Sequence, residues 1–354
     1  MRKLLSLLLA LFMLTTSAGA IEIPDSIHDF LPDELAQSVE REDSLLLGGW
    51  SYLCTTVRDA LSDVLRSGVR SCALLMLLAL LCGAVEGLAD GAGADAVRFV
   101  PYFGVLGASL LTAGDLTALI GLGAQTADEL GVLGKMLIPT VAAAMAAGGC
   151  VGTASAWQVG TLLMSDMLLT VTRSVLLPLV YCYIALAAAG ALLPKRGLDV
   201  LAGGVKKLLT WGACGVTLLF TAFLSVSNVL TGSADKAAVR AGSFILSNAV
   251  PVVGGILSEA TETVLAGALA LRGTVGTLGI FAVLAVCAVP LLRLSVQFLF
   301  YQAAAFLAAM AGSETLQKFI GRLAGAFTLV LALCASCAAI LLTALLVAMT
   351  MVTV

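Results

Sequence analysis

The chain has 354 residues, of which 60% are hydrophobic and only 12% charged, and its 19 basic and 22 acidic side chains leave a net charge of −3. A water-soluble globular chain is nearer half apolar and a quarter charged, so the excess requires an apolar solvent and points to a polytopic membrane protein. Near-neutral charge with no long basic run excludes nucleic acid as the expected partner. The nine cysteines, mostly inside apolar runs, read as small hydrophobes and not as a disulfide framework.

Residues 1–20 have the layout of an export signal. Arg2 and Lys3 form a basic head, Leu4–Leu14 an apolar segment too short to span comfortably, and Ala18-Gly19-Ala20 an A-x-A cleavage site whose small residues are Ala18 and Ala20. Residues 21–66 read as a short acidic exported helical segment. Between 21 and 50 there are eight acidic residues against one basic, Arg41. Pro32 stands near the start of a short helix with acids in its first turn, where the helix dipole favours them. Leu53, Val57, Leu61 and Val64 recur at helical spacing and predict a second helix.

Residues 67–354 read as a multi-span membrane domain: an all-α, polytopic transmembrane bundle with about eight spans. The expected spans are 71–89, 98–114, 132–149, 176–193, 211–231, 274–293, 295–311 and 323–349. Residues 115–131 are polar enough for a loop or interfacial helix, and 150–172, with Trp157, Gln158 and Asp166, fits either a weak span or a surface segment. In 195–209, Leu198, Leu201, Val205 and Leu208 share one helical face, opposite Lys195, Asp199 and Lys206, as in an interfacial amphipathic helix or a short connector. Lysine and arginine in the loops nearly balance between the two orientations, which leaves the topology open. Abundant glycine and alanine predict close helix packing.

Catalytic and cofactor motifs are missing from the sequence. The single histidine, His28, rules out an H-E-x-x-H zinc site, and neither a G-x-S-x-G elbow nor a Walker lysine occurs. No enzyme activity and no cofactor are therefore expected. Cys334-Ala-Ser-Cys337 matches C-x-x-C but lies deep in an apolar run, where a packing role is the simpler reading. Ionisable groups at membrane depth are costly, so Glu86, Lys135, Asp166 and Arg293 are functional candidates by default. All but Asp166 sit near span ends, where snorkelling accounts for them.

One block stands apart. In "AAVRAGSFILSNAVPVVGGILSEATETVLAG", residues 237–267, Val239–Val250 can be helical, Pro251 and Gly254-Gly255 break the helix, and a second helix can start at Ile256. Gly254, Ser258 and Glu262 share a face, with Glu259 adjoining. Two arrangements fit this Pro/Gly-broken hairpin: half-helices lining a wet cavity at membrane depth, or an amphipathic hairpin on the membrane surface with both acids solvated. Composition favours the second.

The same block resembles the most distinctive part of the stage III sporulation protein AE family. The likeness is carried by Arg240, Phe244, Ile245, Pro251, Val252, Gly254, Glu259, Thr261, Glu262 and Thr274-Val275-Gly276, and extends more weakly over 70–354. The resemblance implies a membrane-embedded, permease-like subunit of a channel or secretion-like complex that links mother cell and forespore and is needed for late forespore development. It implies a multi-pass protein of the mother-cell-derived outer forespore membrane in endospore-forming bacteria. Its implied partners are the other proteins of the same operon, a secretion-type ATPase and ring-forming proteins among them, with a forespore membrane partner. Arg240, Asn248, Pro251, Gly254, Gly255, Glu259 and Glu262 become the candidate pore or subunit-contact residues. The competing expectation is a self-sufficient secondary transporter of a small solute or ion, coupled through the same acids.

Overall fold

A computed structural model describes residues 45–90, 100–147, 151–192, 196–249 and 254–350, with side chains described for 48–66, 68–86, 100–147, 151–192, 197–227 and 273–349. The described residues are helical throughout, apart from one tight turn: α1 Leu45–Asp90, α2 Val100–Ala147, α3 Val151–Val171, a π-helical turn Thr172–Leu176, α4 Leu177–Leu192, α5 Arg196–Ala249, α6 Gly254–Met310 and α7 Glu314–Thr350. The expected export signal, with Ala18 and Ala20, and the acidic stretch up to Asp43 lie outside the described residues.

The helices pack into two stacked apolar layers. One layer gathers Leu130–Met145 of α2, Ala154–Leu169 of α3, Phe220 and Leu224 of α5, Val275–Cys287 of α6 and Cys337–Ala348 of α7. The other gathers Cys72–Cys82 of α1, Val105–Ile120 of α2, Leu176–Ala191 of the π turn and α4, Leu209 and Ala213 of α5, Leu294–Ala308 of α6 and Leu316–Cys334 of α7. Following the chain, α2 leaves the second layer for the first, α3–α4 returns, α5 goes out, α6 returns and α7 goes out. The result is an up-and-down bundle in which consecutive passes run antiparallel.

Among the described residues six helices, counting α3, the π turn and α4 as one run of 42 residues, are long and apolar enough to cross a membrane. The difference from about eight expected spans has a definite cause. Residues 98–114 and 132–149 fall on the single 48-residue helix α2, and 274–293 and 295–311 on the single 57-residue helix α6. An unbroken helix does not reverse direction, so each of these expected pairs of spans merges into one pass. The polar stretch 115–131 stays helical because it holds no proline; Asp128 and Glu129 are exposed, and Asp115 is half-buried. Likewise 150–172 is neither a separate weak span nor a surface segment; it runs through the π turn into α4.

The bundle is also longer than a bilayer core. The contacts of Gly276 with Met349 and of Gly83 with Ala311, the residue that follows α6, lie 35 residues apart along the chain, and at 1.5 Å per residue they bracket about 52 Å, against roughly 30 Å of hydrocarbon.

Residues 196–209 are not a separate interfacial helix, because they form the first turns of the 54-residue α5. Its buried positions are Ala202, Leu209, Ala213, Phe220 and Leu224, a seven–four alternation that makes a narrow coiled-coil-like seam. Leu201 and Leu208 of the expected apolar face are exposed instead. The small side chains of Ala202 and Ala213 let the backbone approach its neighbours, and that approach sets which stripe is packed.

Asp199, on the expected polar face, has a specific role. Arg322 Nη2 of α7 meets its Oδ1 at 2.7 Å, and Tyr183 of α4 donates to the Arg322 carbonyl at 3.1 Å, so three helices are joined at one point. Asp199→Asn is expected to cost about 1 kcal/mol, because the pair is partly exposed and screened. This should appear as a modest drop in the melting temperature of the detergent-solubilised protein, and unchanged melting would show the pair to be energetically idle.

The turn between α6 and α7 is set by local chemistry. Gly312 has φ of +88°, the left-handed conformation that closes a helix C-terminus, and Gly312 N–H and Ser313 N–H donate to the carbonyls of Ala309 and Ala308. Ser313 then precedes Glu314 as the N-cap residue of α7, and Gln317 N–H donates to its carbonyl at 3.0 Å.

Candidate functional site

The helix ends bear directly on the Pro/Gly-broken block. Pro251 removes an N–H donor and pushes the preceding residue out of helical geometry. As described, α5 runs to Ala249 and α6 from Gly254, and residues 250–253 between them lie outside the described residues. The two half-helices expected from the sequence are thus the C-terminal end of α5 and the N-terminal end of α6, each continuous with a long bundle helix. Arg240 and Asn248 fall in the last turns of α5, and Gly254, Gly255, Glu259 and Glu262 in the first turns of α6. Pro251 and the side chains of the other six candidates lie outside the described residues.

Three of the other four ionisable candidates have partners. Lys135 of α2 pairs with Asp166 of α3 at 2.9 Å, both largely exposed. Glu86 near the end of α1 accepts a hydrogen bond from the Ser313 hydroxyl at 3.1 Å, which ties α1 to the α6–α7 turn. Arg293 is exposed on α6, and because 274–293 and 295–311 form one pass it lies midway along that pass and not at the span end expected for it.

Several connections escaped sequence reading. Arg173, on the π turn, pairs with Asp128 of α2. The buried Tyr301 of α6 donates to Asp115 Oδ2 of α2 at 2.9 Å and stacks at a tilt on Phe327, with 4.7 Å between ring centres. Asp115 and Asp128 both belong to the segment expected to be a loop or surface helix, which hid their place beside the bundle. The available signal was the absence of proline between 115 and 131. A helical reading would have put Asp115 and Leu119 on one face with Thr112.

Cys334 and Cys337 are buried free thiols on α7, packed with Cys287 of α6. Thr126 of α2 and Thr172 of the π turn come within hydrogen-bonding reach of Cys334 and Cys337 respectively. Among the described residues no group of three His, Cys, Asp or Glu side chains is placed to hold a metal ion. What the arrangement accomplishes chemically is interhelical fastening: ion pairs and hydroxyl contacts join α2 to α3, α2 to α6, α5 to α7 and α1 to the α6–α7 turn.

The chain was compared with known proteins. The family model for stage III sporulation protein AE matches residues 47–352. A curated relative, the stage III sporulation protein AE of Bacillus subtilis (strain 168), is 30% identical over 183 residues, which are 51% of this chain and 45% of the relative. The matched region therefore spans about half the length of that relative. No solved structure matches.

Proposed function

The chain belongs to the stage III sporulation protein AE family, and on that premise we propose that it is the membrane-embedded, permease-like subunit of an apparatus linking mother cell and forespore. In this reading it sits in the mother-cell-derived outer forespore membrane and is required late in forespore development. Its partners are a secretion-type ATPase, ring-forming proteins and a forespore membrane protein. It binds no cofactor and catalyses no reaction of its own.

One observation carries the reading beyond the family name: a bundle of six long apolar helices whose charged and hydroxyl groups fasten one helix to another. Such fastening suits a subunit that must hold its shape within a larger assembly. In this reading Glu259 and Glu262, which follow the Pro/Gly segment in the first turns of α6, serve a pore or a neighbouring subunit. A self-sufficient transporter would use the same acids for coupling, so the two readings separate on autonomy. Deleting the protein in its endospore-forming host is expected to halt development after engulfment, and a membrane-tethered fluorescent fusion is expected to collect around the forespore. Normal spore yield in the deletion strain would overturn the proposal.

A further inference from the structure

α3 carries a polar column on its buried face. Thr153, Trp157, Thr161 and Ser165 recur every four residues, which makes each a neighbour of the next along one slanted ridge of the helix. All four are buried, Trp157 at 2% and Thr161 at 0% exposure, where α3 packs against α2 and α5. Trp157 lies in the apolar layer with Met145, Phe220 and Leu224.

Two atoms of this column are unusual. The indole Nε1 of Trp157 and the hydroxyl Oγ1 of Thr161 are fully buried with no hydrogen-bond partner among the described residues. Elsewhere in the bundle buried threonines satisfy themselves: Thr112, Thr126 and Thr172 each donate to the carbonyl four residues back. Thr161 does not. One turn further on, the Ser165 hydroxyl donates to the Leu162 carbonyl at 3.2 Å and retains acceptor capacity. A buried indole N–H and a buried hydroxyl left unpaired are costly in an apolar interior. Together they present one donor, one donor–acceptor and one acceptor along a single line, the set of partners that an internal water requires.

We propose that this column is an internal hydrated seam, a binding site within the bundle for water and other small uncharged hydrogen-bonding molecules. The occupant is uncharged because the column holds no ionisable group. Asp166, adjacent in sequence to Ser165, faces outward and is paired with Lys135. A desolvated ion would meet no counter-charge there. The seam stands independently of the sporulation role.

The chain has three tryptophans, Trp50, Trp157 and Trp211, which makes a direct test practical. In the full-length protein carrying Trp50→Phe and Trp211→Phe, reconstituted into liposomes, fluorescence reports Trp157 alone. The seam predicts an emission shifted to the red of a hydrocarbon-like indole, a yield that rises in deuterium oxide, and quenching by acrylamide but not by iodide or caesium. Thr161→Val should shift the emission to the blue and remove the deuterium response, whereas Thr161→Ser should leave both unchanged. If the double replacement does not fold, the difference spectrum between the native chain and Trp157→Phe isolates the same signal. A structured, hydrocarbon-like emission insensitive to deuterium oxide and to Thr161→Val would overturn the proposal, and quenching by the ions would overturn its restriction to uncharged occupants. Neither result bears on spore yield, so failure here is distinguishable from failure of the channel reading.

Discussion

Gly83→Val is expected to destroy the packing at one end of the bundle. A Cβ at this position on α1 would run into the carbonyl oxygen of Ala311 and lie 2.8 Å from the Ala311 Cβ. The obstacle is backbone, and it belongs to the residue before the left-handed Gly312, so it cannot move without deforming the α6–α7 turn. On the neighbouring residue the Cys82 sulfur fills the space beside Gly104 of α2, at 2.8 Å from where a Cβ would stand. The end of α1 is therefore confined on two sides. Overpacking a well-filled site costs about 1–3 kcal/mol and more where backbone must shift, and valine adds branching that restricts its escape. The expected outcome is loss of the monodisperse detergent-solubilised protein on size exclusion, with new protease cuts near the α6–α7 turn. Gly114→Ala is the matched control: nothing lies within 4 Å of its Cβ position, and the protein should remain intact. A monodisperse, protease-resistant Gly83→Val protein would show that the α1–α6 contact does not hold in the folded chain.

Changing Glu259 and Glu262 together to Gln is expected to abolish most heat-resistant spores while the protein still accumulates in the membrane. The substitution keeps side-chain size and removes charge, so it isolates electrostatics from packing. Both residues fall within the first nine residues of α6, after the Pro251 break, and three positions apart they adjoin on the helix surface. An ionisable group at membrane depth is costly, which makes each such acid a functional candidate by default. Spore counts after heat treatment, alongside immunoblots of membrane fractions, check the expectation. A normal spore yield would assign both acids to a solvated surface and remove them from the candidate site.

The helical class was legible because it follows from local chemistry. Apolar composition requires hydrogen bonds to be satisfied within the helix, and Pro251 cannot continue one. The count of passes was not legible, because hydropathy falls in the middle of α2 without any interruption of the backbone. Gln125 donates to Glu129 at 2.8 Å along the helix surface, and Asp128 pairs with Arg173. These polar groups are accommodated laterally, where a one-dimensional reading takes them for a loop. The same limit hid the fastenings. Tyr301 and Asp115 lie 186 residues apart, and Arg322 and Asp199 123 apart, so nothing local to either residue signals its partner. The candidate pore residues rest on the sequence and the family resemblance, their side chains lying outside the described residues, whereas the unpartnered Trp157 and Thr161 required the packing to be seen.

The most direct measurement of the central claim is affinity purification of the tagged full-length protein from sporulating cells after engulfment, with the captured proteins identified by mass spectrometry. The account predicts that a secretion-type ATPase and ring-forming proteins copurify with it, and that they are lost from the same preparation in vegetative cells. Isolation of the chain alone at that stage, together with proton-coupled solute uptake by the purified protein in liposomes, would contradict it.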